Sequence, residues 1–216
     1  MTAILKKELK SYFHSVTGWL FMAALLLFMG MYFSYYNING GSPYAAYTLS
    51  SVLFFVLLLI PILTMKIWAE ERRQKTEQLL FSMPVSIGRI IWGKFLAIET
   101  ILLMVSVIYG IYLLIPGCYG TMPVLENVIA LFGFFLFGSA SIAIGFFLSA
   151  VTENQVIAAV ATYVVLMACA FMPSITGLFT TTGNGFTDLI NSVFDITASL
   201  NSMLNGIFDL KSILYY

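Results

Sequence analysis

Between Ser11 and Met65 the chain has no aspartate, glutamate, lysine or arginine. A soluble domain carries about a quarter charged residues, whereas this chain of 216 residues is 9% charged and 60% hydrophobic. With a mean hydropathy of +0.95, that gap excludes an ordinary soluble domain. Histidine is almost missing as well, His14 being the sole one. A metal site, or a serine–histidine–acid relay, needs more such residues than this, and needs them close together. Catalytic chemistry within the chain, and a resident metal or cofactor, are therefore not expected. The two cysteines, Cys118 and Cys169, are too few for a disulfide framework and read as small apolar residues. Nor does the start resemble a cleavable signal peptide: the basic opening leads through Ser11, Tyr12, Phe13 and His14 straight into a full-length apolar run.

What is present is apolar sequence in membrane-sized lengths. A helix rises about 1.5 Å per residue and a bilayer core is about 30 Å thick, so a span takes about 20 apolar residues. Residues 16–36, 49–68, 94–115, 127–150 and 156–172 predict five transmembrane helices in an all-α integral membrane protein. Before them, residues 2–15 set Ile4, Leu5, Leu9, Tyr12 and Phe13 at helical spacing among Lys6, Lys7 and Lys10, the pattern of an interfacial helix on an anionic surface. Turn signals separate the spans: Asn37 to Pro43, Met83-Pro84 followed by a potential cap at Ser86, Pro116-Gly117, and Pro173. Pro61 falls inside the second predicted span, where it removes one backbone hydrogen bond. Residues 174–212, rich in threonine, asparagine, serine and glycine, are too polar to span and read as extracytoplasmic. Every lysine and arginine except Lys211 falls before the first span or between the second and third. The positive-inside rule puts those segments, and the N-terminus, in the cytoplasm.

The charge that the spans lack is concentrated in one island, where Lys66, Glu70, Glu71, Arg72, Arg73, Lys75 and Glu77 crowd together. Glu71 with Lys75, and Arg73 with Glu77, stand four apart and predict surface pairs on a short helix. Leu79, Leu80 and Phe81 give that helix an apolar end. The island reads either as a solvated loop that sets topology or as a docking helix for a cytoplasmic subunit. Gly88 to Phe95 nearly matches the phosphate-loop pattern, but Phe95 stands where a magnesium-binding hydroxyl belongs and no strand precedes it. Any nucleotide that powers this protein is therefore bound by another chain. Glu70-Glu71 also invites comparison with intramembrane proteases that use EExxxR, yet Lys75 replaces that arginine. Within the third predicted span, Glu99 is an intramembrane acid; its place near the cytoplasmic end predicts access to water or a pair with Lys94 or Arg89. In the fourth, Gly138, Ser141, Gly145 and Ser149 form a small-residue face, for packing within the subunit or at an interface or conduit. The absence of a charged cluster along the spans favours an apolar or amphipathic cargo, or mechanical work.

Taken together, Glu70-Glu71-Arg72-Arg73, Thr76-Glu77-Gln78-Leu79-Leu80, Met83-Pro84-Val85, Gly93-Lys94-Phe95, Ser149 to Ala159 and Gly206 to Tyr216 resemble the permease subunits of ABC-2-type exporters. The ordered set is most similar to the gliding-motility-type permeases. That resemblance implies a coupling segment at residues 70–83 that seats in an ATPase subunit. Its carriers are Glu70, Glu71, Arg72, Arg73, Thr76, Glu77 and Leu80, and Glu153, Asn154 and Gln155 make a second cytoplasmic contact. It further implies ATP and magnesium on the partner ATPase, a second permease in a homo- or heterodimer, and residence in a bacterial cytoplasmic membrane, with no nucleic-acid partner. The family often has glycine before the threonine of the coupling segment, where this chain has Lys75. It usually ends with a sixth span, so the stop at Tyr216 reads as a truncated or incomplete sequence. The rival expectation is a non-transporting scaffold or anchor that recruits a cytosolic protein through residues 70–83.

Overall fold

Apolar runs become helices wherever turn residues bound them. A computed structural model describes residues 2–73, 75, 86–118, 122–179 and 191–216. Helix α1 (Thr2–His14) ends at Ser15, whose side chain caps α2 (Val16–Phe33) by accepting from the Thr17 N–H at 3.3 Å. A wider π turn, Ser34–Asn39, carries α2 to its loop, where Gly41 takes a φ of 63° that other residues rarely adopt. Helix α3 (Ala45–Thr64) runs through a turn at 65–68 into the short α4 (Ala69–Arg73). Then follow α5 (Ile87–Tyr112), α6 (Leu114–Gly117) and α7 (Val124–Val151). Asn154 caps α8 (Gln155–Ala170), accepting from the Val156 N–H at 2.9 Å. Later in the chain come α9 (Met172–Phe179), α10 (Ala198–Leu204) and α11 (Leu210–Tyr215).

Four of these stretches are long and apolar enough to cross a membrane: Val16–Asn39, Ala45–Arg73, Ile87–Gly117 and Val124–Val151. The fifth expected span forms α8, of 16 residues, which reaches about 24 Å against a core of about 30 Å. Helix α7 is the hub and packs against α3, α5, α8 and α10. Its small residues make that possible, because a Cβ on Gly138 would strike Leu102 of α5 and one on Gly145 would strike Thr64 of α3 and Thr162 of α8. Between α2, α3, α5 and α7 lies a core of Phe21, Leu25, Leu49, Ile60, Leu102 and Phe134, each fully buried. Leu27, Leu103, Val107, Phe147 and Val164 point outward, which suits helices whose surrounding solvent is hydrocarbon.

Helix α1 is more than a surface strip. It packs on α5 and α2, and the buried Tyr12 hydroxyl donates to the Leu63 carbonyl near the end of α3 at 3.1 Å. The polar segment after α9 is likewise tied into the bundle. Met203 of α10 packs on Gly133, and Tyr216 meets Phe137 with ring centroids 6.4 Å apart. Met203, within residues 174–212, thus meets α7 about 14 Å from its start, and Tyr216, beyond them, meets it about 20 Å along. At the opposite end from α1 and α4, two amides join α2, α3 and α7. Asn127 accepts from the Ala45 N–H at 2.7 Å and donates to the Pro43 carbonyl at 2.9 Å. Asn37 donates to the Ser42 and Tyr44 carbonyls and accepts from the Thr48 hydroxyl at 2.7 Å.

Candidate functional site

Lys94 is the best-buried charge among the described residues, at 1% exposure. Burying an ammonium is costly unless it is paired and hydrogen-bonded, and every side of this one is engaged. Its Nζ lies 2.8 Å from Glu71 Oε1 and 3.6 Å from Glu8 Oε1, and donates to the Ile67 carbonyl at 3.0 Å. The indole of Trp68 covers it, with the ring centroid 4.8 Å away, adding a cation–π contact. Lys7 completes the network at 3.8 Å from both Glu8 and Glu71. One cluster thus joins α1, the turn into α4, α4 itself and α5.

The sequence offers Glu71 a partner at Lys75 and offers Glu99 water, Lys94 or Arg89, whereas the structure pairs Glu71 with Lys94. Helix α4 closes at Arg73, and Lys75 stands beyond it with a φ of 56°, in the left-handed region where glycine is at ease. That is the position where the resembled family often has glycine. Glu71 faces inward to Lys94. Lys94 and Glu99, five residues apart on α5, point about 140° away from each other around the helix, so one cannot serve the other. Instead Glu99, buried between α5 and α7, accepts a hydrogen bond from the Ser139 hydroxyl at 2.8 Å.

Ser149, expected as a packing residue, also makes hydrogen bonds. Buried near the end of α7, its Oγ accepts from the Trp68 and Ala69 N–H groups at 3.3 and 3.4 Å and donates to the Met65 carbonyl at 3.3 Å. It therefore satisfies backbone groups that the turn into α4 would otherwise leave open. Arg72 Nη1 donates to the Val151 carbonyl at 3.4 Å, which brings the first expected cytoplasmic contact beside the second. There Glu153 and Asn154 are exposed and Gln155 is half-buried. Glu70 is half-buried and Arg73 exposed, while Thr76, Glu77 and Leu80 lie outside the described residues. Of the small face, Ser141 is buried and donates to the Phe137 carbonyl at 2.8 Å, and Gly138 and Gly145 meet α5, α3 and α8.

Burial, then the negative charges of Glu8 and Glu70, push the Tyr12 phenol well above its ordinary value. It therefore keeps its proton and remains a donor to Leu63. Sequence reasoning passed over Glu8, the single acid of α1, and the inward role of Lys94. The signal was available: a lysine flanked by Trp92, Phe95 and Leu96 on an apolar helix calls for a partner.

No curated protein and no solved structure matches the chain. A family model described as ABC-2 family transporter protein matches residues 3–212, which takes in α1, the charge network, the four membrane-length stretches, α8 and most of the segment beyond. The chain belongs to the ABC-2 family of transporter proteins.

Proposed function

We propose that this chain is the membrane-spanning permease of an ATP-driven exporter, with ATP and magnesium bound by a separate ATPase subunit that pushes on the segment from Glu70 to Leu80. Membership of the family makes it the membrane component rather than the catalytic one. The finer reading is a bacterial cytoplasmic-membrane permease with its N-terminus in the cytoplasm. It pairs with a second permease and is most similar to the gliding-motility subset.

The observation that carries the coupling role is the anchoring of α4. Its start continues α3, is held to α5 and α1 by Lys94 through Glu71 and Glu8, and is held to α7 by Ser149 and Arg72. A displacement of α4 therefore loads four elements at once. Such a junction suits a two-state element that is biased by a ligand bound elsewhere. In this mechanism ATP-driven closure of the partner shifts α4, and α3 and α5 tilt with it.

Isolation of the complex from native membranes tests the docking. With Arg72→Glu, Arg73→Glu and Glu77→Lys combined, the ATPase that accompanies the wild-type chain is lost. An unchanged ATPase content in the purified variant contradicts the docking.

A further inference from the structure

A cavity of about 340 Å³ opens between α1 and the turn that joins α3 to α4. Its walls are Lys7, Glu8, Ser11, Tyr12, Ser15, Lys66, Ile67, Glu70 and Glu71. Three properties define what fits there. The first is level: Ser15 immediately precedes helix α2, and Lys66, the first charge after the apolar run of α3, follows that helix by two residues. Two span ends therefore place the cavity at the height of the lipid headgroups. Beside it, Val16 and Trp19 are 77% and 56% exposed, and the Trp19 indole donates to the Phe13 carbonyl at 2.8 Å, as tryptophans at a membrane interface commonly sit.

The second property is the sign of each wall. Glu8 and Glu71 are occupied by Lys94 and Lys7, whereas Lys66, half-buried, forms no ion pair among the described residues. Its ammonium shares the cavity with the Ser11 hydroxyl, a donor pair that suits phosphate oxygens, while the Ser15 hydroxyl on the same wall is engaged by the Thr17 N–H and hydroxyl. The third is overall balance. Three carboxylates line the same space, so a simple anion is repelled and a simple cation meets the lysines.

We infer that this cavity is a headgroup site for a zwitterionic phospholipid of the phosphatidylethanolamine class. The phosphate sits on Lys66 and Ser11, the ammonium faces the acidic wall of Glu8, Glu70 and Glu71, and the acyl chains run down past Val16 and Trp19. The inference is independent of the ATPase reading, since it concerns the bilayer side of the same junction. It gives lipid composition a direct hold on α1 and on the start of α4.

The test uses the full chain purified in detergent and follows its thermal unfolding midpoint. Four probes are titrated: dihexanoylphosphatidylethanolamine, dihexanoylphosphatidylglycerol, soluble phosphoethanolamine and inorganic phosphate. The ethanolamine lipid raises the midpoint saturably, because a ligand that binds only the folded state stabilises it. Phosphoethanolamine does so at higher concentration, and phosphatidylglycerol and inorganic phosphate give no saturable rise. Lys66→Ala, and independently Ser11→Trp, which fills the cavity from an exposed position, weaken the lipid's effect roughly tenfold, on the scale of one charge-assisted contact. Both variants are compared by gel filtration with the wild type, and either one that remains folded decides the matter. An equal rise from phosphatidylglycerol, or an undiminished rise in a folded variant, overturns the site. Phosphoethanolamine acting as strongly as the lipid overturns the lipid as its source, and inorganic phosphate acting alone overturns the zwitterion.

Discussion

The end of the bundle that carries α1 and α4 joins its helices through Lys94, shared by Glu71 and Glu8, whereas the opposite end joins α2, α3 and α7 through the amides of Asn37 and Asn127. Both are buried polar clusters that bridge distant parts of the sequence. Asn127 and Asn37 bind backbone groups of one loop in fixed directions, and a satisfied neutral network of this kind is rigid. The charged cluster has one cation serving two acids at 2.8 and 3.6 Å, with Lys7 at 3.8 Å from each. Such an arrangement can redistribute when an outside charge approaches, since Coulomb energies change with small displacements at low dielectric. The difference sets a rigid amide end against a charged end that, under the proposed coupling role, is the one to respond to a partner.

Substitutions can break that contrast in graded steps. Lys94→Met leaves Glu8 and Glu71 facing each other at a largely buried position, and its cost is about 3 kcal/mol or more in chemical denaturation of the detergent-solubilised chain. Adding Glu71→Gln and Glu8→Gln recovers most of that loss, because the penalty belongs to stranded charge. Asn127→Ala strips the Ala45 N–H and the Pro43 carbonyl of their partners and costs about 1–3 kcal/mol by the same measurement. Raising salt changes the Asn127→Ala penalty little, which separates the two ends by a second criterion. Ser149→Ala, which opens the Trp68 and Ala69 N–H groups, costs about 1 kcal/mol. The smallest effect has the opposite sign. Lys75→Gly relaxes the left-handed backbone at φ 56° and stabilises by a few tenths to about 1 kcal/mol, seen as a higher thermal midpoint.

The membrane-length helices were legible because hydrophobic length and turn residues are local properties, and α2, α3, α5 and α7 fall close to the runs at 16–36, 49–68, 94–115 and 127–150. The third helix starts earlier than its apolar run, at Ile87, since Arg89 is exposed and can extend a helix into water. Helix α8 is shorter than a standard span because Phe171 breaks the helix before Met172–Phe179 begins. Pairings were less legible. A four-residue spacing pointed Glu71 to Lys75, yet the helix that would align them ends at Arg73. Glu8 and Lys94 meet only because α1 packs on α5, a tertiary contact with no trace in local periodicity. Ser149 was found for its size, while its hydrogen bonds depend on where the α3–α4 turn lands against α7.

Lys94 and Glu71 act as one unit that fastens the start of the proposed coupling segment, α4, to α5. A double-mutant cycle with Lys94→Met and Glu71→Gln, read by denaturation of the full chain, measures that directly. A coupling energy of about 2 kcal/mol or more is the predicted result for a buried, hydrogen-bonded charge pair. Single effects that simply add, to within about 0.5 kcal/mol, would contradict it.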